Sequence, residues 1–463
     1  MSLSSDEIEQ LLTHVDANLD KSLERWFELL RIPSISTDTA YAPQCREAAE
    51  WLSDQLSALG FDAAVRDTKG NPMVVAHARQ EGGTNALFYG HYDVQPVDPL
   101  ELWHSDPFEP AMVEDEKGEK HVYARGAADD KGLVMTFVEA CRTFLSVKGK
   151  LPLGLSFIIE GEEESASRNF LPFVSANADE LKADLALVCD TGMWDDQTPA
   201  IVTSLRGLVA EDMTITCATR DLHSGMYGSA ARNPNQVVAD IIASLRNPDG
   251  SVAVEGFYDD VRETPPEIVE MWKHLDFDEK EFLGMVGLTT PAGEKGRTVF
   301  EQVNARPTCE INGISGGYAG EGFKTVIPAK ANAKISFRLV ADQDPQKVRD
   351  AFRKHVRDRL PPDCRVEFEE HGAAAAVAVP FSGPYIDKAK QALKQEWGTE
   401  PVLHGGGGSI PAVESIKKVL GLDALMIGFG RKDDAVHSPN EKLDLEAFHK
   451  GIRSWVRILA ALG

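Results

Sequence analysis

The chain has 463 residues, 43% of them hydrophobic and 26% charged. That excludes global disorder, a collagen-like fibre and a disulfide-stapled miniprotein, and leaves room for two or three domains or one large domain with an insertion. Lysine and arginine number 48 against 73 aspartates and glutamates, a formal net charge of −25. With no basic footprint to meet a phosphate backbone, nucleic acid is excluded as a partner. The plain meaning of the acidic surplus is a solvated surface; the alternative is that some of the acids hold metal, and only position decides between them. No stretch approaches the roughly 18 consecutive apolar residues of a membrane span. The acidic, polar start lacks the pattern of a secretory signal. Six scattered cysteines (Cys45, Cys141, Cys189, Cys217, Cys309, Cys364), with no Cys-x-x-Cys pair, fit reduced and mostly buried thiols in a cytoplasmic protein.

Ser4 and Glu7 form the pattern of a capping box. Leu11, Leu12, Val15, Leu19, Leu23, Trp26, Phe27 and Leu30 continue an apolar stripe at helical spacing until Pro33. A helix over 46–59 stops at Gly60. Strands are expected over 63–66, 72–78 and 85–89; the last is short, apolar and ends at Gly90, like a buried strand of an α/β sheet. A helix over 131–147, a strand over 153–159, a helix over 169–181 and a strand over 185–189 follow. This alternation predicts a mostly parallel sheet with helices on both faces. The character changes near Arg206-Gly207. A strand with period-two alternation over 208–219, a helix over 235–245, a second alternating strand over 331–340, a helix over 345–360 opened by proline and a strand over 366–369 predict a separate α+β domain. The small-residue stretch 372–378 reads as a return linker. A helix over 385–397, a glycine run at 405–408, a helix from 412, a strand over 424–427 and a helix over 445–462 then resume the α/β pattern. The expected organisation is an α/β domain in two segments, 1–205 and 379–463, with an α+β domain, 206–378, inserted. No internal repeat is present.

Candidate ligands stand just past the ends of the inferred strands, where open α/β sheets place their sites. His91 and Asp93 follow the strand ending at Tyr89. Asp129 and Asp130 lie in a glycine-containing turn that opens a helix. Glu160, Glu162, Glu163 and Glu164 follow the strand over 153–159, Asp190 follows 185–189, and His437 comes after 424–427. Each has a structural alternative: a hydrogen-bonded turn for His91-Tyr92-Asp93, a solvated face for Glu162–Glu164, a helix N-cap for Asp129-Asp130, a turn cap for Asp190, a loop histidine for His437. Five such positions in one α/β unit nevertheless supply two imidazoles and several hard carboxylates, the donor set of a pair of divalent, zinc-like ions.

The segments Gly-His-Tyr-Asp-Val-Gln-Pro (90–96), Ala-Arg-Gly-Ala-Ala-Asp-Asp-Lys-Gly (124–132), Glu-Gly-Glu-Glu-Glu-Ser (160–165), Asp-Leu-His-Ser-Gly (221–225) and His-Ser-Pro-Asn-Glu (437–441) resemble the M20 family of metallopeptidases. Within it the pattern is similar to the dipeptidase branch, of the carnosinase and cytosolic non-specific dipeptidase type. The resemblance covers nearly the whole chain. It implies a two-domain zinc-peptidase architecture: a phosphorylase/hydrolase-like α/β catalytic domain and an inserted ferredoxin-like α+β domain serving as lid and dimerisation element. It also implies two divalent metal ions per subunit, zinc first, with manganese or cobalt as alternatives. Asp129 would bridge them, His91 and Asp190 completing one site and Glu164 and His437 the other. Glu163 would act as general base on a metal-bridging water, and Asp93 would orient His91. His223 would reach the site of the opposite subunit of a homodimer.

By the same resemblance, Thr325 and Arg338 help hold the C-terminal carboxylate of a short-peptide substrate, Ser409 matches a substrate-binding serine of the branch, and His371 lines the pocket. An arginine fork suits a carboxylate. One departure stands out. Relatives often carry an Arg-Glu pair where this chain has Gly405-Gly406, and the glutamate would help bind a substrate amine. That leaves three expectations for the reaction: a dipeptidase, a carboxypeptidase, or an N-acyl amino acid amidohydrolase of deacetylase or desuccinylase type. A catalytically inactive metal- or peptide-binding relative is the alternative of a different class. The glycine run 405–408 lacks the following Gly-Lys-Ser/Thr of a phosphate loop.

Overall fold

A computed structural model of the chain describes residues 3–406, 408 and 410–463. The chain forms two compact units. Residues up to 203, with 379–404 and 410–463, make the first; residues 204–378, with 405, 406 and 408, make the second.

The sheet of the first unit runs Asp62–Arg66, Met73–Ala78, Gly154–Glu160, Asn85–His91, Leu185–Val188, Ala424–Met426 and then Ala200–Leu205. Asn85–His91 is parallel to both Gly154–Glu160 and Leu185–Val188, and Leu185–Val188 is parallel to Ala424–Met426. The pairs at the sides are antiparallel. The sheet is therefore mixed, with a parallel centre. Its central strands are buried along their length and read as continuous apolar runs. Four parallel strands bring the residues that follow them, from His91, Glu160, Val188 and Met426 onward, to one edge.

An aromatic cluster holds the helices to this sheet. Phe88 stacks on Phe137 of helix Lys131–Lys148 at 3.9 Å between ring centroids, and Phe137 meets Trp455 of helix Leu445–Leu462 edge-on at 5.0 Å. Trp26 stacks on Phe448 at 4.3 Å. Each such pair contributes about 0.5–1.5 kcal/mol beyond simple burial.

Local chemistry shifts several boundaries. The capping box of Ser4 and Glu7 forms and opens helix Ser5–Ala17. The apolar stripe does not make one helix, because Asn18 turns its side-chain amide back onto the His14 carbonyl at 2.9 Å and a second helix, Leu19–Leu30, starts after it. The helix expected over 169–181 spans only Phe170–Ala176. The stretch 372–378 is not a bare linker: strand Arg365–Ala374 runs into it, and Val377–Ala378 pairs with the end of Ala200–Leu205. Three short strands, Ala111–Glu114, Lys120–Tyr123 and Lys442–Asp444, form a small antiparallel sheet that the sequence did not suggest.

The second unit carries a four-stranded antiparallel sheet in the order Thr308–Gly316, Lys330–Leu339, Gly207–Thr216, Arg365–Ala374. Numbered along the chain that is 2-3-1-4, with helix Pro234–Ser244 after the first strand and Pro345–Arg359 after the third. This is the ferredoxin-like arrangement. Alternation decides the packing. Val209, Met213 and Ile215 face the helices with Ile335, Phe337 and Leu339, against Val237, Val238 and Ile241 and against Val348, Phe352 and Val356. Among the described residues no helix is long and apolar enough to cross a membrane.

Candidate active site

His91 ends strand Asn85–His91 and is fully buried. Its Nδ1 lies 3.0 Å from the Asp93 carbonyl oxygen and 3.4 Å from the Asp93 carboxylate. In the neutral ring Nδ1 therefore carries the proton and Nε2 the lone pair, directed at Asp129 Oδ1 (3.1 Å) and Asp190 Oδ2 (4.0 Å). Gly90 makes this approach possible. A Cβ there would stand 2.5 Å from Val134 Cγ2 and 2.9 Å from Asp130 Oδ2, and Asp130 Oδ2 itself accepts the His91 N–H at 3.1 Å.

Asp129 lies in the turn before helix Lys131–Lys148. One of its oxygens faces His91, and the other faces His437 Nε2 at 2.9 Å. His437 Nε2 also stands 3.2 Å from Glu164 Oε2. The outcome is two donor groups, His91–Asp129–Asp190 and Asp129–Glu164–His437, each with its ligand atoms within 4.8 Å of one another. Asp129 belongs to both. Two imidazole nitrogens and hard carboxylate oxygens around one shared carboxylate fit a pair of divalent cations of the zinc type. Asp433, Asp434 and Asp444 also cluster, but Lys442 Nζ lies 3.0, 3.4 and 3.2 Å from them, so that group already holds a cation.

Glu441, fully buried, fixes the Asp129 turn. Its Oε1 accepts the Ala128 and Asp129 N–H groups, each at 3.0 Å. Its Oε2 accepts the Gly126 N–H at 3.0 Å and Arg125 Nη1 at 2.7 Å. Burial pushes the Glu441 carboxyl up, and Arg125 and the Gly126 N–H pull against that. Four donors on two oxygens leave no place for a proton, so Glu441 is the carboxylate.

The glutamate-rich loop divides by direction. Glu160 accepts the Tyr89 hydroxyl at 2.8 Å and the Ser167 hydroxyl at 3.0 Å. Glu162 turns to Asn169 Nδ2 at 2.7 Å and the Asn71 N–H at 3.3 Å. Glu163 and Glu164 join the acidic pool around Asp129. Their backbone N–H groups are held by the Asp93 carboxylate at 3.2 and 3.1 Å, and Gln95 Nε2 donates to Glu164 Oε2 at 2.7 Å. Asp93 thus uses its carbonyl to orient His91 and its carboxylate to fasten the Glu163–Glu164 turn.

The electrostatics follow from crowding acids under cover. Burial, with Asp190, Glu164 and Asp129 as neighbouring negative charges and His91 opposing, pushes the Glu163 carboxyl up to about 9. Burial and Asp129 push Asp190 up to about 7. Burial would raise Asp129 too, but His437 and His91, when protonated, donate to it and hold it well below the usual carboxylate range. Contacts with Asp129 and Glu164 push His437 up to about 10. Bound divalent cations would favour the ionised carboxylates and the neutral imidazoles here.

In the second unit His223 is exposed and ends the two-residue strand Leu222–His223, paired with Val326–Ile327. The Ser224 N–H donates to the Thr325 carbonyl at 3.1 Å, so His223 and Thr325 are neighbours. His223 Nδ1 accepts the Gly225 N–H at 3.0 Å, which puts the proton of the neutral ring on Nε2. Arg338, on strand Lys330–Leu339, lines a cavity of about 400 Å³ with Arg206, Arg246 and Glu310. His371 is exposed on Arg365–Ala374, its Nε2 3.7 Å from Asp212 Oδ2. Ser409 lies outside the described residues. Gln95, Arg125 and Glu441 were not singled out from the sequence; the signal available was their place inside the motifs at 90–96, 124–132 and 437–441.

A parallel-centred α/β sheet whose strand ends present carboxylates and imidazoles around a shared aspartate defines a metallohydrolase. The sequence profile of peptidase family M20/M25/M40 matches residues 87–461, and the chain belongs to that family. It is 28% identical over 470 aligned residues to the Cys-Gly metallodipeptidase dug1 of Schizosaccharomyces pombe, covering 98% of this chain and 97% of that one. It is 26% identical to the human beta-Ala-His dipeptidase over 92% of this chain and 83% of that protein. These relatives stand in the dipeptidase branch. Among solved structures, the metallo-carboxypeptidase Sso-CP2 of Sulfolobus solfataricus is 32% identical with a TM-score of 0.80, covering 95% of this chain and 99% of that one.

Proposed function

We propose that this metallopeptidase is dinuclear and cleaves the peptide bond of dipeptides or short peptides that end in a free carboxylate. The observation that carries the reading is the sharing of Asp129 between two donor groups. His91, Asp129 and Asp190 would hold one divalent cation, and Asp129, Glu164 and His437 the other, zinc being the first choice and manganese or cobalt the alternatives. When bound, such cations polarise the scissile carbonyl and acidify water. Glu163 acts as the base: its carboxylate takes a proton from the attacking water and delivers it to the leaving amine nitrogen. The water's remaining hydroxyl joins the carbonyl carbon, so one water is consumed per bond broken. Asp93 keeps His91 and the Glu163 turn in register.

The chain works as a homodimer in which the partner subunit's His223 donates its Nε2–H to the oxyanion of the tetrahedral intermediate. Arg338 and Thr325 recognise the substrate's C-terminal carboxylate, and Ser409 and His371 also take part in substrate binding. A second reading, carboxypeptidase action on longer peptides, is favoured by the similarity to Sso-CP2 and by glycines at 405 and 406, which offer no carboxylate to a substrate amine.

The test is a panel of Ala-Ala-type dipeptides, longer peptides and N-acetyl amino acids, run on metal-loaded and chelator-treated protein with metal content measured. Turnover of free dipeptides, lost on chelation and regained with zinc, is the expected result. Hydrolysis of N-acyl amino acids with no dipeptide turnover would refute the dipeptidase reading. Faster cleavage of longer peptides would establish the carboxypeptidase.

A further inference from the structure

We propose that Cys217 and Cys364 form a covalent modification site: a thiol pair in the second unit that a small-molecule disulfide such as oxidised glutathione closes into a cross-strand disulfide. Cys217 directly follows strand Gly207–Thr216, and Cys364 directly precedes Arg365–Ala374. These two strands are antiparallel, with Thr216 opposite Arg365. One step further along the ladder puts Cys217 opposite Cys364. The Cys217 N–H donates to the Ala329 carbonyl at 3.0 Å, on the side away from Cys364, and the Cys364 N–H donates to Pro361. The two cysteines therefore make a non-hydrogen-bonded pair. In such a pair the Cα atoms stand about 4.5 Å apart and the side chains come closest, within the reach of a disulfide. The sulfur atoms are already in contact, 2.7 Å apart.

Access singles out the same pair. Cys45, Cys141, Cys189 and Cys309 are buried, whereas Cys217 and Cys364 are half-buried. The chemistry balances without any other reactant. The thiolate of one cysteine attacks the small disulfide, forming a mixed disulfide and expelling one small thiolate. The second cysteine gives up its proton and attacks the protein sulfur of that mixed disulfide, expelling the other. Two protein thiols are oxidised by two electrons, and one small disulfide is reduced to two small thiols. Burial and the contact with Cys364 push the Cys217 thiol up to about 12, and the second attack runs between sulfurs that already touch. The product joins the central strand Gly207–Thr216 to the edge strand Arg365–Ala374, at the point from which the chain leaves toward His223.

The experiment incubates the full chain to equilibrium with oxidised glutathione, unfolds it, alkylates the free thiols and counts them by mass. Six thiols should fall to four, with tryptic peptides 207–220 and 360–365 joined, and dithiothreitol should restore six. Cys364→Ser should abolish the joined peptide. Retention of six thiols, a bridge between other cysteines, or glutathione adducts that persist on Cys217 or Cys364 with no bridge would each overturn the proposal.

Discussion

Replacing Glu441 by glutamine removes one charge and almost no volume, yet it should cost more than any exposed substitution in the molecule. Gln can keep its carbonyl on the Ala128 and Asp129 N–H groups, but its amide nitrogen then faces the Gly126 N–H and Arg125 Nη1, both donors, where Glu441 Oε2 accepted bonds of 3.0 and 2.7 Å. Bonds to a charged partner contribute about 1.5–3 kcal/mol each. Arg125 is left buried at 1% exposure without its counter-ion, and breaking a buried pair from one side costs about 3–5 kcal/mol. The two figures describe the same loss, so we expect the unfolding free energy of the metal-free protein to fall by about 3–5 kcal/mol, against about 5–15 for a whole domain. Urea unfolding of Glu441→Gln, Arg125→Met and the double variant measures it. The double variant should be less destabilised than the sum of the singles by about 1–3 kcal/mol, because Arg125→Met removes the group that Glu441→Gln strands. Calorimetric titration should show metal binding weakened by about 10–100-fold, as for other residues that orient a ligand. A Glu441→Gln protein within about 1 kcal/mol of the parent, additive with Arg125→Met, would refute the idea that this carboxylate organises the Asp129 turn.

Glu163→Gln should lower kcat by at least about 10²–10⁴ while metal analysis still finds two ions per chain; retained turnover would remove Glu163 as the base. His223→Ala should be inactive on its own with its metal content unchanged. Mixed with Glu163→Gln under conditions that exchange subunits, it should recover about a quarter of parental activity, since half the dimers are mixed and one of their two sites pairs an intact Glu163 with an intact partner histidine. No recovery on mixing would place His223 and Glu163 in the same chain's site. Arg338→Lys should raise KM for free dipeptides about 10–100-fold with kcat little changed, because lysine keeps the charge and loses the bidentate fork; an equal effect on a C-terminally amidated substrate would dissociate Arg338 from carboxylate binding.

His91, Glu164 and Asp190 were legible in the sequence because each stands just past a short apolar strand, and a parallel sheet sends the residues after its strands to one edge; Asp129 was legible from the glycine-containing turn that opens helix Lys131–Lys148. The distinction between Glu162 and Glu163 was not available from spacing. It depends on Asn71 and Asn169 drawing one carboxylate away, and on Asp93 turning the next two residues back. Glu441 was equally hidden: its four partners lie more than 300 residues earlier, and nothing in local periodicity reports a bond of that span. The three short strands around Lys120–Tyr123 escaped because runs of three or four residues are too short to carry a period-two signal. The break at Asn18 was missed because the apolar stripe continues through it in sequence while a single amide diverts the backbone.

The long reach of Glu441 bears on how the protein is made. A ribosome extends a chain at about 5–20 residues per second, and early segments fold as they emerge. His91, Asp129 and Asp190 are available before half the chain exists, but Asp129 waits for residue 437 to gain its second imidazole and for residue 441 to fix its turn. A nascent chain, or one truncated upstream of residue 437, therefore carries the first donor group alone on an unsupported loop. The second donor group, Asp129–Glu164–His437, assembles only after residue 437 has been made, more than 300 residues after Asp129.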